Sequence, residues 1–163
     1  MGTAYKVFVL FHLICVIGGF GALAYNGLYL NLSRRQGTAA PAVLDINRQV
    51  SGLAELLVYG VFIFGIAAVG ASHSHFKFSQ AWVYTAVVLY LVEIGILHGM
   101  IRPAQKRRQA VVAELQEAPA AAGTRPPGVA RLDAIDRRIS AGWGMFNLIV
   151  IAVVYLMVFK PGS

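Results

Sequence analysis

Long apolar runs separated by short polar stretches dominate the chain, and their lengths decide the architecture. The run from Ser79 to Arg102, SQAWVYTAVVLYLVEIGILHGMIR, holds about 22 mostly apolar residues. At ~1.5 Å rise per residue it is ~33 Å long as a helix, enough to cross the ~30 Å hydrocarbon layer. Ser79 suits an N-cap and Pro103 disfavours helix at the residue before it, so a span is predicted over about residues 80–102. Three other runs, at about residues 5–32, 51–71 and 141–159, are also long enough to span. The first is the longest and is expected to tilt or protrude. Gly18, Gly19 and Gly21 near its middle allow a neighbouring backbone to come close, and Tyr25 and Tyr29 suit an interface belt. Gly60, Gly65 and Gly70 in the second run recur every five residues and drift round the helix instead of forming one stripe.

The stretches between the runs carry weaker patterns. Within residues 36–50, Val43, Leu44, Ile46 and Val50 suit an amphipathic turn on the membrane surface. Residues 72–79 form a tight loop. Pro103 can occupy the first turn of a new helix reaching about Glu117, and APAAAGTRPPG after it reads as a flexible linker. Residues 129–140 place Val129, Leu132, Ile135 and Ile139 on one helical face, which predicts an interfacial helix leading into the fourth span. The predicted fold class is all-α: a four-helix transmembrane bundle with short cytoplasmic amphipathic helices. It forms a single integral membrane domain over residues 1–163, with its main connector at 103–140.

Composition agrees. The chain is 58% hydrophobic and 13% charged, whereas soluble domains run at about 25% charged. The net charge of +7 does not imply nucleic acid as a partner, because the basic residues flank the apolar runs. Eleven of the 14 Lys and Arg fall in the two connectors after the first and third spans, and only Lys6, Lys77 and Lys160 fall on the other side. That asymmetry predicts cytoplasmic connectors with both termini and the 72–79 loop outside. The single Cys15 excludes an internal disulfide. His12-Leu13-Ile14 before it lack the small residues of a lipoprotein site, and the first run is too long for a cleaved signal peptide.

Depth along the helices sorts the polar residues into two groups. Glu55 and His98 each lie four residues inside the predicted cytoplasmic boundary, ~6 Å deep, and Tyr59 shares the face of Glu55. Asn26 and Asn147 lie ~9–10 Å deep and Glu93 ~13 Å, with Tyr90 beside it. Asn26, Glu55, Tyr59, Glu93, His98 and Asn147 thus define a candidate polar intramembrane pocket. A carboxylate at mid-bilayer costs at least ~2.5–3.5 kcal/mol on insertion scales, so such groups face the bundle interior and find partners. Interhelical hydrogen bonding, a neutral Glu93 and contact with a partner protein's buried cation account for the same residues. On the other side, His12, His73 and His75 are a candidate Cu or Zn set, with an exposed polar loop and a core histidine as the plainer account. Paired haem ligation by His12 and His98 is disfavoured by a depth difference of ~15 Å. Arg34, Arg35, Arg102, Lys106, Arg107, Arg108, Arg137 and Arg138 are expected at anionic lipid head groups.

No Ser/His/Asp order, P-loop, zinc-protease motif or dinucleotide fingerprint is present, and no inverted repeat is evident. The first span with His12 followed by Gly18 and Gly19, and the third ending in Ile101-Arg102-Pro103 before a basic stretch, resemble small bacterial predicted integral membrane proteins of unknown function. These are related to the copper-resistance-D-like four-helix membrane proteins, and the likeness covers about residues 5–159. It implies a bacterial inner (plasma) membrane location and a link to copper handling or haem. The four methionines, Met1, Met100, Met145 and Met157, form no methionine-rich copper motif. The expected function is that of a non-catalytic accessory subunit packed against other membrane protein subunits. The alternatives are a haem- or metal-binding membrane protein of the copper-resistance-D-like kind and a lipid- or quinone-binding bundle. No motif demands a resident cofactor.

Overall fold

A computed structural model describes residues 2–25, 41–73, 75–117 and 127–162, with side chains described at 2–25, 50–73, 75–115 and 128–162. The described chain is helical, with no strand. Helix α1 spans Thr3–Ala24, α2 spans Pro41–Gly70 and α4 spans Pro127–Phe159. Helix α3 is continuous through Ala81–Ile96, a π segment at Leu97–Ile101, and Arg102–Glu117. All four are long and apolar enough to cross a membrane, and the protein is a multi-pass integral membrane protein. Leu10, Ile17, Leu56, Ile63, Leu91, Leu148, Ile151 and Val158 point outward; hydrocarbon covers them at no cost, whereas water would make them an association surface.

Two expectations about the connectors change. No separate helix starts at Pro103, because α3 runs straight through it. A proline inside a helix clashes with the carbonyl four residues back. Here that residue is Gly99, and it lies in the π segment, whose wider turn relieves the crowding. Residues 129–140 likewise are not a surface helix but the first part of α4. The extended ends of α3 and α4 pack together as an antiparallel hairpin beyond the apolar window. An Arg108 Nε–Asp136 Oδ1 bond of 2.8 Å and an Arg131–Glu114 pair at 3.2 Å hold it. On α4, Ile135 and Ile139, from the face expected at the membrane surface, pack into the core instead. Residues 41–50 are also helical and continuous with α2.

The helices pack as two pairs. α1 lies against α2 and α3 against α4, and close backbone approach between the pairs is sparse among the described residues. Glycine permits the first pairing: a Cβ on Gly19 would stand 3.0 Å from the Val58 nitrogen and 3.1 Å from the Ala54 oxygen. The pairs share a layout. The π segments Val16–Phe20 and Leu97–Ile101 begin 81 residues apart. So do the buried pairs Phe20 and Ile101, Val58 and Ile139, and Glu55 and Asp136. The chain thus has a parallel two-hairpin arrangement, with no inversion.

The filled core lies in the half of the bundle nearer Arg102. Phe146, Ile101 and Val58 are fully buried there, and Phe146 packs against Phe20 at 5.7 Å and Trp143 at 5.4 Å between ring centroids. The opposite half, toward the 71–80 loop, is not filled, and a cavity separates the pairs.

Candidate functional site

That cavity has a volume of about 280 Å³ and is lined by all four helices. Its wall is mostly apolar, with Val9 and Val16 from α1, Val61 and Ile66 from α2, Val83 and Val87 from α3, and Val150 and Val153 from α4. Tyr5, Phe76 and Lys160 edge it at the loop end. The Lys160 ammonium stands 4.5 Å from the Phe76 ring centroid and 5.8 Å from that of Trp82, and Phe76 meets Trp82 edge-on at 5.4 Å. Ser72 shapes the adjoining loop: its hydroxyl donates to the Val69 carbonyl at 2.7 Å and accepts the Phe76 N–H at 3.0 Å.

Three polar side chains reach the cavity with unusual bonding. Glu93 is 1% exposed, and its Oε1 has no hydrogen-bond partner among the described residues. Trp82 Nε1 is likewise buried without a partner among the described residues. His12 Nδ1 lies 2.8 Å from the Val61 carbonyl oxygen. A carbonyl only accepts, so Nδ1 carries the proton and neutral His12 keeps a lone pair on Nε2. Gly65 makes room for this ring: a Cβ there would stand 3.1 Å from His12 Cε1 and Nδ1. A fourth group, the Tyr90 hydroxyl, donates to the Val58 carbonyl at 3.2 Å and its ring stacks on Phe62 at 4.9 Å. His12 and Glu93 occupy equivalent positions in the two hairpins, each four residues before its π segment.

A second polar group lies toward Arg102 and outside the cavity. The Tyr59 hydroxyl donates to Glu55 Oε1 at 2.9 Å and lies 2.9 Å from His98 Nε2. His98 Nε2 is 3.3 Å from the same oxygen, and Arg102 bonds Glu55 Oε2. His98 Nδ1 lies 3.1 Å from the Ile94 carbonyl and so donates to it. The Tyr59 hydroxyl and Arg102 thereby occupy the two Glu55 oxygens, and the Arg102 guanidinium offsets its charge.

The structure therefore divides the expected pocket. Glu55, Tyr59 and His98 come together with Arg102; Glu93 belongs to the cavity instead. Asn147 is half-buried and joins neither group, and Asn26 lies outside the described residues. His12, His73 and His75 are not gathered: His12 sits beside Val61 and Gly65, while His73 and His75 are exposed in the loop. No three of His, Cys, Asp and Glu are placed to hold a metal ion among the described residues. Of the expected lipid-facing cations, Arg34 and Arg35 lie outside the described residues. Arg102 and Arg108 are engaged by Glu55 and Asp136, and Lys106, Arg107, Arg137 and Arg138 are exposed. The sequence reading missed Trp82 and Lys160; a Trp and a Lys at the ends of facing apolar runs were the available signal. No family model matches the chain, and searches of curated proteins and of solved structures return no match either.

Proposed function

We propose that this four-helix membrane protein binds a lipophilic molecule with a hydrogen-bonding head, of the quinone or lipid class, in the cavity between its hairpins. The observation that carries this reading is Glu93. A carboxyl oxygen buried without a partner costs free energy on the order of 1–3 kcal/mol, yet this one lines an apolar space large enough for a ring. A pocket with apolar walls and a few convergent polar groups is the usual form of a small-molecule site. Its size is just below the ~300–1,000 Å³ typical of such sites, so it suits a head ring, with any tail passing out among the helices. His12 Nε2 accepts a hydrogen bond, and Glu93 accepts or donates according to its protonation. Together they fit a ring hydroxyl or carbonyl.

An accessory role in a larger membrane complex is the second reading, and the hairpin projecting past the apolar window favours it as a handle for other subunits. One experiment separates the two. The protein is purified in mild detergent without crosslinker, and both its subunit composition and its organic extract are measured by mass spectrometry. The ligand reading expects about one lipophile per chain in the wild type, at least a tenfold loss in Glu93→Leu, and a similar loss when Ala86→Phe fills the cavity. Equal lipophile content in all three proteins overturns it. Stoichiometric partner proteins, with an extract unaffected by either substitution, favour the accessory reading.

A further inference from the structure

We infer that a groove between the extended ends of α3 and α4 binds the phosphate of an anionic phospholipid between Arg107 and Arg138. The groove is separate from the central cavity and has a volume of about 250 Å³. On α3, Gly99, Pro103 and Arg107 follow one another at four-residue spacing and form one row along the helix. On α4, Ala134 and Arg138 form the facing row. Gly99, Pro103, Ala104 and Ala134 keep its walls low, and Arg107, Arg138 and Met100 complete its lining.

The charge arrangement calls for an anion. Three neighbouring arginines have carboxylate partners: Arg102 with Glu55, Arg108 with Asp136, and Arg131 with Glu114. Arg107 and Arg138 have none among the described residues, although they share one groove. Two guanidinium groups in one groove repel unless something negative lies between them. A phosphate presents acceptor oxygens that match the planar donor fork of arginine on both sides.

The position along α3 selects a lipid over a free anion. From Arg107 to Gly99 is eight residues, ~12 Å of helix, and the groove crosses the level of Arg102 where the apolar run ends. A phosphate held at Arg107 and Arg138 would leave its glyceride portion against Pro103, Gly99 and Met100. Gly99 leaves that path clear: a Cβ there would meet no atom within 4 Å. The π segment supplies both Gly99 and Met100, and such segments in α-helices often accompany functional sites.

The test is native mass spectrometry of the detergent-solubilised full chain, titrated separately with phosphatidylglycerol, phosphatidylcholine and inorganic phosphate. The wild type is expected to take one phosphatidylglycerol at least tenfold more tightly than phosphatidylcholine. Arg107→Gln with Arg138→Gln should abolish that preference. Lys106→Gln with Arg137→Gln removes the same charge from neighbouring exposed positions and should hold the preference within about twofold. Gly99→Leu should weaken phosphatidylglycerol binding while leaving helix content unchanged. Equal losses in the two double variants overturn the inference, because they mean diffuse attraction to the basic surface. So does the absence of a phosphatidylglycerol preference in the wild type, and so does displacement of phosphatidylglycerol by equimolar inorganic phosphate.

Discussion

Glu55 and Glu93 are both acids on apolar helices, and the fold treats them in opposite ways. Glu55 has a donor on each oxygen, Arg102 on one and the Tyr59 hydroxyl on the other. Glu93 keeps an oxygen without a partner among the described residues. The first arrangement was legible in the sequence, because Glu55 and His98 each stand four residues inside a helix boundary and Tyr59 is one turn from Glu55. Arg102 was not, since an arginine ending an apolar run reads as an orientation signal and its reach back to a carboxylate depends on helix register. The Glu55–Arg102 pair is half in solvent, with the Arg102 side chain 48% exposed and that of Glu55 11%. Its loss should therefore cost less than that of a fully buried pair. Glu55→Gln is expected to destabilise the protein by about 1–2 kcal/mol, near the value of a hydrogen bond to a charged group. A double-mutant cycle with Arg102→Gln, read by thermal unfolding in detergent, should show coupling of about 1 kcal/mol. Additive effects would mean that the pair does not form.

At the scale of the helix, glycines and π segments set how the elements meet. The expectation that Gly18, Gly19 and Gly21 admit a neighbour holds at the first two, where Gly18 faces Leu57 and Gly19 faces the α2 backbone, and not at Gly21. A side chain at Gly19 must push α1 from α2, because the obstructing atoms are backbone. Gly19→Val is thus expected to cost about 1–3 kcal/mol, the range for overpacking a tight contact. Gly21→Ala, which meets nothing within 4 Å, should stay within about 0.5 kcal/mol. Thermal unfolding of the two variants side by side checks this, and equal stability would show that the α1–α2 contact is looser than described. The parallel hairpin repeat was hidden because few of its equivalent positions share an identity. What recurs is role: a polar residue ahead of each π segment, as at His12 and Glu93, and a buried acid on each second helix, as at Glu55 and Asp136. Such matches are visible only after burial is known. The passage of α3 through Pro103 was hidden for a similar reason, since a one-residue widening of a helix leaves no periodic trace in the sequence.

The whole molecule is asymmetric along the membrane normal, with a packed core and a projecting charged hairpin at one end and an apolar cavity edged by Tyr5, Phe76 and Lys160 at the other. Run lengths and apolar content made the four crossings legible, while the cavity was not, because it arises from the gap between two helix pairs. The distribution of basic residues adds a direction to this axis. Eleven of 14 Lys and Arg fall in the sequence stretches that follow the first and third apolar runs, and segments rich in these residues stay in the cytoplasm. That rule predicts a cytoplasmic hairpin and an outward-facing cavity mouth, in which case a ligand would approach from the outer leaflet. Cys15 is buried and is the single cysteine, which makes a Cys15→Ala background suitable for site-directed labelling. In that background, Lys77→Cys in the loop should react with a membrane-impermeant maleimide in intact cells. Ala113→Cys on the exposed part of α3 should react only after the membrane is opened, with at least a tenfold difference in labelling between the two conditions. Labelling of position 113 in intact cells would reverse the axis, and the cavity would then draw its ligand from the inner leaflet.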